Sequence, residues 1–314
     1  MLQIHDMMDS SGSFCGPNST LHYNATQDFA KAFYIFACVI NMTTSVFSVL
    51  GNIIILSALR KCISLHAPSK TLLCSLALTD VFVGLVVLPL FITYHLTIIL
   101  EMSTYYCVVA VVYGRTAAFI SCASLLTIVT IAIDRFLAFR LRLRYRVVVT
   151  FKRVVSILAS EWILAALWSG SWFWSQRLSM IFGAVILITC FLVAFLCYLI
   201  IHQGLRSQVT QIRPHLNGLD AANDEMAYYR RTVSNMMWVY GFLLICYTPF
   251  FSSLMAILIL GLTSSTRFAV QFSAIAIYFN SAFNPVLYCW RIKELREKVV
   301  ANCTKLCNCF LSYQ

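Results

Sequence analysis

Seven stretches of this chain are long enough and apolar enough to cross a lipid bilayer, and no other feature limits the possible folds as strongly. A spanning helix needs about 20 mostly apolar residues. The runs fall at roughly 33–59, 70–99, 104–139, 154–174, 178–202, 232–260 and 268–290. Inside hydrocarbon every backbone N–H and C=O must be paired within the protein, which leaves helices or closed barrels. These runs are too long and too continuous for the alternating strands of a barrel. The prediction is an all-α fold, a seven-transmembrane helix bundle. Composition agrees, because only 11% of residues are charged, about half the share a soluble domain uses to cover its surface.

The formal net charge is +11, which in a soluble chain would suggest nucleic acid. Here the cations lie between the apolar runs, so no nucleic-acid partner is expected. Arg60, Lys61 and Lys70 follow run one, and Arg140, Arg142, Arg144, Arg146, Lys152 and Arg153 follow run three. Arg206, Arg213, Arg230 and Arg231 follow run five, and Arg291, Lys293, Arg296, Lys298 and Lys305 follow run seven. The alternate loops carry few. Lys and Arg accumulate on the cytoplasmic side, so the N-terminus is expected outside, at a plasma membrane. Asn18-Ser19-Thr20 and Asn24-Ala25-Thr26 fall in that outer tail and are glycosylation signals. Asn41-Met42-Thr43 matches too but lies inside the first run, out of reach. The first 28 residues are polar and hold no signal-peptide pattern, so the first apolar run is expected to direct insertion. The longest inner loop, 203–229, contains Pro214 and Asn217-Gly218 and reads as an irregular connection.

Strongly polar side chains inside spanning helices are costly and are functional candidates by default. Asn52, Asp80, Ser124, Asn280 and Asn284 are such residues. Most of the thirteen cysteines, in contrast, lie within apolar runs and read as small buried hydrophobes without zinc-type spacing. No Gly-x-Ser-x-Gly elbow, phosphate loop or His-Glu-x-x-His is present, so the chain is not read as an enzyme.

Six landmarks stand in order along the runs: Gly51-Asn52, Leu76-Ala77 with Asp80, Asp134-Arg135-Phe136, Trp162, Cys246-Tyr247-Thr248-Pro249, and Asn284-Pro285-Val286-Leu287-Tyr288. Together they resemble the landmarks of rhodopsin-like G-protein-coupled receptors across the whole bundle. The resemblance implies an extracellular ligand, a heterotrimeric G protein, arrestin and a receptor kinase as partners. It implies that Arg135 is held by Asp134 when the receptor is silent and meets the G protein when it is active, with Phe136 in place of the usual Tyr. It makes Tyr198 and Tyr288 a pair of inner tyrosines that rearrange, and puts Tyr247 where the family usually has Trp. Pro249 and Pro285 should bend helices six and seven by removing a backbone hydrogen bond. Asp80, Ser124, Asn280 and Asn284 resemble the family's internal sodium pocket, and read either as an ion site or as a hydrogen-bonded cluster. No other cofactor or metal is implied. A transporter, the rival reading, would carry inverted repeats and broken helices, and no repeat is visible; a receptor fold that does not signal is the third reading.

The chain departs from the family in three places. The Ser175–Ser179 connection is very short and lacks a cysteine, the usual proline of helix five is missing, and Cys107 is offset from its usual place. The usual outer disulfide is therefore not expected; Cys107 is either a thiol or paired with Cys15, which the oxidising side permits. These features resemble the melanocortin, adenosine, cannabinoid and lysophospholipid receptor group. The wording of Leu65-His66-Ala67-Pro68 and Leu143-Arg144-Tyr145-Arg146 leans toward melanocortin receptors, but their acidic ligand cluster is unmatched at Leu90, Ala110 and Val111. Ala117 stands where amine receptors keep Asp, and Tyr278 where opsins keep Lys. Neither amine nor retinal is favoured. Tyr94, His95, Arg115, Ala117, Tyr247, Phe250 and Tyr278 form the candidate ligand pocket. Arg115, Arg177 and Arg267 against Glu101 alone favour an anionic or lipid-like ligand, or are ordinary surface charge; lipid-like, nucleoside and peptide ligands stay open.

Trp290 to Val299 reads as a short amphipathic cytoplasmic helix, with Trp290, Ile292 and Leu295 entering the membrane interface. Cys303, Cys307 and Cys309 follow and are palmitoylation candidates. The expected organisation is an extracellular glycosylated tail (1–32), the receptor bundle (33–290), and a cytoplasmic helix with its cysteine-containing tail (291–314).

Overall fold

The computed structural model describes residues 27–63, 65–212, 241–261 and 263–311. The expected sites at Cys15, Asn18 and Asn24, and the inner part of run six, lie outside these residues. Seven long helices follow one another: α1 (Gln27–Lys61), α2 (Ala67–Ile99), α3 (Ser103–Leu141), α4 (Phe151–Ser171), α5 (Gln176–Ile212), α6 (Gly241–Leu260) and α7 (Ser264–Arg291). A final helix, α8 (Lys293–Leu311), runs on from α7. Six of the seven are long and apolar enough to cross a membrane. The seventh, α7, has 28 residues, or about 42 Å at 1.5 Å per residue. Its hydropathy is lowered by Ser273, Asn280, Ser281 and Asn284, all of which are buried in the bundle.

The bundle is apolar outside and partly polar within, as a lipid solvent demands. On α1 the buried positions Ala37, Asn41, Thr44, Ser48, Asn52, Ile55 and Leu59 recur at helical spacing. The opposite face, with Ile35, Val39, Met42, Val46, Leu50 and Ile53, is exposed and apolar. Asn41 is fully buried and donates to the Ala37 carbonyl, which closes its glycosylation signal to any enzyme.

Two prolines are accommodated by side chains of α1. Pro285 has no N–H for the Ser281 carbonyl four residues earlier. Asn52 Nδ2 donates to that carbonyl at 3.1 Å. Gly51 beside it leaves room for the proline ring, because a Cβ there would lie 2.9 Å from Pro285 Cγ. In α2 a π-turn over Val83–Val87 shifts the register, with the Leu88 N–H bonding to the Val83 carbonyl. The next bond in that register would pair Pro89 with the Gly84 carbonyl. Ser45 Oγ supplies the missing hydrogen at 2.7 Å. The dipeptide Gly51-Asn52 and the distant Ser45 thus perform the same task for two different helices.

The helix junctions are locally encoded. α2 ends in a Schellman motif, with Met102 N–H bonded to Thr97 and Glu101 N–H to Ile98, and Glu101 at φ 56°. α6 ends at Gly261, whose φ of 78° few other residues adopt. A Thr263–Thr266 capping box opens α7. At the α4–α5 corner Trp168 Nε1 donates to the Ser179 carbonyl at 2.9 Å. Cys107 at the start of α3 is disulfide-bonded, not a free thiol; Cys15, the alternative named for its partner, is outside the described residues.

α8 departs from expectation in its bounds, Lys293–Leu311 in place of 290–299 with Trp290 in the last turn of α7, and in the placement of one residue. Leu295 is fully buried in the main core and does not face the membrane. The reason is docking of α8 onto the inner end of α1. Glu294 accepts from the Ile63 N–H at 3.1 Å and from Cys62 Sγ at 3.0 Å. Asn302 donates to Ser57 Oγ and accepts from Lys61. Trp290 remains largely exposed, as expected. The side chains of Cys303, Cys307 and Cys309 are outside the described residues.

Candidate functional site

Three polar or hollow places occur along the bundle axis, and α3 passes through all of them. At the outer end a cavity of about 290 Å³ opens between α2, α3, α4, α5, α6 and α7. Tyr94, Arg115, Ala117, Tyr247, Phe250 and Tyr278 all line it. Tyr247 lies at its buried end against Phe191, ring to ring at 6.1 Å. Tyr113 and Tyr278 join their hydroxyls at 2.8 Å and tie α3 to α7. Gln271, which nothing in the sequence singles out, donates to the Tyr94 hydroxyl at 2.9 Å. His95 does not line the cavity. Its Nδ1 pairs with the Phe91 carbonyl at 2.8 Å, and Tyr34 and Phe91 enclose its ring, which turns it away toward α1. Of the expected arginines, Arg115 lines the cavity, Arg177 is at the surface, and the Arg267 side chain is outside the described residues. Glu101 pairs with Lys31 at 3.3 Å, exposed at the outer rim.

At mid-bundle Asp80 is fully buried, and Ser124, Asn280 and Asn284 are buried as well. Asn284 Nδ2 donates to Asp80 Oδ2 at 2.8 Å, linking α7 to α2. Ser48 Oγ donates to the Asp80 carbonyl at 2.8 Å. Asp80 Oδ1 is enclosed in the same cluster, and Ser281 lies within hydrogen-bonding reach of the carboxylate. A second buried carboxylate, Glu161 of α4, accepts from Thr130 and, at 3.3 Å, from Thr127 of α3. It was not among the expected polar residues, although the sequence carries a signal for it, a carboxylate in the fourth apolar run beside Trp162.

At the inner end Asp134 is held from three sides. Tyr145 donates to Oδ1 at 2.6 Å, Ser69 to Oδ2 at 2.9 Å, and Arg135 Nη2 lies 3.6 Å from Oδ2. Asp134 is almost fully buried, while Arg135 keeps a quarter of its side chain exposed. Ser69 comes from the first turn of α2 and Tyr145 from the helical turn Tyr145–Val148 after α3. Neither was expected from the sequence, because neither position follows from local spacing. Phe136 packs with Phe139 around Ile201 of α5. The Tyr198 hydroxyl is buried with no hydrogen-bond partner among the described residues, and Tyr288 is buried on α7. Pro249 lies within α6 and Pro285 within α7.

The model of the 7 transmembrane receptor (rhodopsin family) matches residues 51–176 and 168–288. Melanocortin receptor 5 of Homo sapiens is 27% identical over 308 residues, covering 92% of this chain and 89% of that receptor. Histamine H2 receptor of Rattus norvegicus is 26% identical, covering 89% and 82%. Adenosine receptor A2b of Bos taurus is 30% identical over a shorter stretch, 40% of this chain and 36% of its own. The relatives are receptors, not enzymes, and the names of the three point to different ligand chemistries. With its helical bundle, its cavity at one end and its Asp134–Arg135 pair at the other, the chain belongs to the rhodopsin family of seven-transmembrane receptors, the multi-pass membrane receptors of class A.

Proposed function

We propose that this chain is a plasma-membrane receptor, N-terminus outside, that takes an extracellular ligand into the cavity between Tyr94 and Tyr247 and activates a heterotrimeric G protein at its Arg135 end. One observation carries this reading. A single helix, α3, lines the cavity from Ala110 to Leu125 and holds the Asp134–Arg135 pair, about 14 Å further along the same rod. A ligand shifts such a bundle only if it binds the two states unequally. Contact with Tyr247 and Phe250, just before and after Pro249, gives it a lever on α6. Opening of the inner side would release Arg135, with Tyr198 and Tyr288 rearranging beneath it. On this reading arrestin and a receptor kinase meet the same inner face, Asn18 and Asn24 carry glycans, and Cys303, Cys307 and Cys309 accept palmitate.

The test is G-protein activation in cells, read as cAMP and calcium change at matched surface expression. Arg135→Ala is expected to abolish both basal and ligand-driven signal. A signal that survives Arg135→Ala would overturn the assignment of this pair as the coupling site.

We also infer that the buried polar residues at mid-bundle hold a sodium ion. Asp80 would supply one enclosed carboxylate, and the buried Ser124, Asn280 and Asn284 would supply neutral oxygens, a donor set suited to a hard cation. Bound there, the ion would supply the positive charge that Asp80 lacks, and it would favour the arrangement in which Asn284 reaches Asp80. An ion that binds only the folded state stabilises it by mass action. Replacing choline by sodium at constant ionic strength should raise the melting temperature of the purified receptor and leave Asp80→Asn unmoved. Equal sodium responses in both proteins would eliminate the site.

A further inference from the structure

The charge pattern of the cavity constrains the chemistry of its occupant, and it rests on the receptor reading only in taking the cavity as the ligand site. Among the described lining residues Arg115 is the only side chain charged at neutral pH; no Asp, Glu, Lys or His of the described residues reaches the cavity. The guanidinium stacks over the Trp172 ring at 4.7 Å. Its Nε is enclosed with no hydrogen-bond partner among the described residues, and the two ion pairs found there involve other side chains. A guanidinium keeps its proton in proteins, so this is a partly buried cation without a counter-ion among the described residues. Such a group is costly to keep unless something pairs with it. Gln271 lines the same cavity, its amide held by the Tyr94 hydroxyl and beside His95.

Below Arg115 the lining turns apolar. Ala117, Ala118, Leu125, Ile186, Leu187 and Ala274 lead down to Tyr247. The helix α3 wall, Ala110 to Leu125, is about 22 Å long at 1.5 Å per residue. Gly114 lines this wall, and a Cβ there would meet nothing within 4 Å. The cavity is therefore mainly apolar, with one cation about a third of the way along its α3 wall.

We propose that the ligand is a monoanionic amphiphile, with an acidic head paired to Arg115 and an extended hydrocarbon body reaching toward Tyr247. One guanidinium balances one negative charge, and its fork matches a carboxylate in a bidentate arrangement. Cationic amines and basic peptides are disfavoured in the same channel, because their charge would sit beside the Arg115 guanidinium with no carboxylate among the lining residues.

The test uses the full-length receptor in nanodiscs of zwitterionic lipid, with tritiated oleate as probe, oleyl alcohol and oleylamine as chain-matched competitors, and empty nanodiscs for background. Saturable oleate binding is expected, with oleyl alcohol weaker by about tenfold or more, a factor of ten being about 1.4 kcal/mol, because the alcohol cannot form the charge-assisted bond to Arg115. Oleylamine should compete worst. Arg115→Gln should bring oleate down to the level of the alcohol, and Arg115→Lys should restore part of the difference. Gly114→Leu, which fills the open channel without touching Arg115, should weaken acid and alcohol alike. Adding phosphatidylglycerol to the nanodiscs separates two sources of the same chemistry. Displacement of oleate by it would support a bilayer lipid as the occupant, and no displacement would support a free acid. Oleylamine binding as well as oleate, Arg115→Gln leaving the acid–alcohol difference intact, or no saturable oleate binding by receptor that still gives Arg135-dependent basal signal would overturn the proposal while leaving the receptor reading in place.

Discussion

Replacing Gly84 by leucine is expected to remove most of the folded receptor from the cell surface. Gly84 sits in the π-turn of α2 at its closest approach to α1. Even a Cβ at this position would lie 2.6 Å from Val49 Cγ2, 3.0 Å from the Ser45 carbonyl and 3.2 Å from the Val49 nitrogen. The first of these can yield by rotation of a side chain. The other two are backbone atoms and yield only if the helices separate. Separation would also break the 2.7 Å bond from Ser45 Oγ to the Gly84 carbonyl, leaving unpaired a carbonyl that Pro89 cannot serve. Overpacking costs about 1–3 kcal/mol and a lost buried bond adds about 1–3 kcal/mol. A drop of the melting temperature of roughly 5–15 °C is expected at the usual few degrees per kcal/mol. Fluorescence-detected size exclusion after heating measures it directly. Val49→Ala in the same chain should recover only part of the loss, because the backbone contacts remain. A melting temperature unchanged by Gly84→Leu would show that this helix contact is not tight.

Asp134→Asn is expected to raise ligand-independent signalling several-fold at equal surface expression. The carboxylate is nearly fully buried, and its negative charge at 3.6 Å is the one ion pair found for Arg135 among the described residues. Asparagine keeps an oxygen for the Tyr145 or Ser69 hydroxyl but removes the attraction on the guanidinium. A partly buried pair of this kind contributes about 1–2 kcal/mol to the arrangement that holds it, a factor of about 5–30 between two states. Basal cAMP or calcium signal, titrated against expression, is the readout, and Arg135→Ala placed on top of Asp134→Asn should silence it. Basal activity at or below wild type in Asp134→Asn would mean that the hydroxyls of Ser69 and Tyr145, and not the charge, restrain Arg135.

Much of the architecture was legible in the residue order alone. Hydropathy is a property of consecutive residues, so the seven spans could be read directly, and α1 to α7 lie where those runs lie. Buried polar positions could be read as well, because Asn52, Asp80, Asn280 and Asn284 interrupt apolar runs that have no other use for them. Their partners could not. Asn52 meets the Ser281 carbonyl across 229 positions and Asn284 meets Asp80 across 204. No local pattern encodes pairs so far apart. His95 shows the same limit from the other side. Its place near the outer mouth suggested a ligand contact, but the sequence does not say which way a ring on α2 turns, and Tyr34 and Phe91 turn it inward.

The sequence by itself determined the lipid-spanning helices, the side on which the cations gather, and the family, because each depends on composition or on short motifs along the chain. Only the tertiary structure decided that Ser45 and Asn52 satisfy the carbonyls left open by two prolines, that Ser69 and Tyr145 close around Asp134, and that Arg115 lines the cavity while Arg177 stays at the surface. Those outcomes depend on the rotation of each helix about its axis. That rotation is set by close approach at residues such as Gly51 and Gly84 and by packing between faces that meet only after folding.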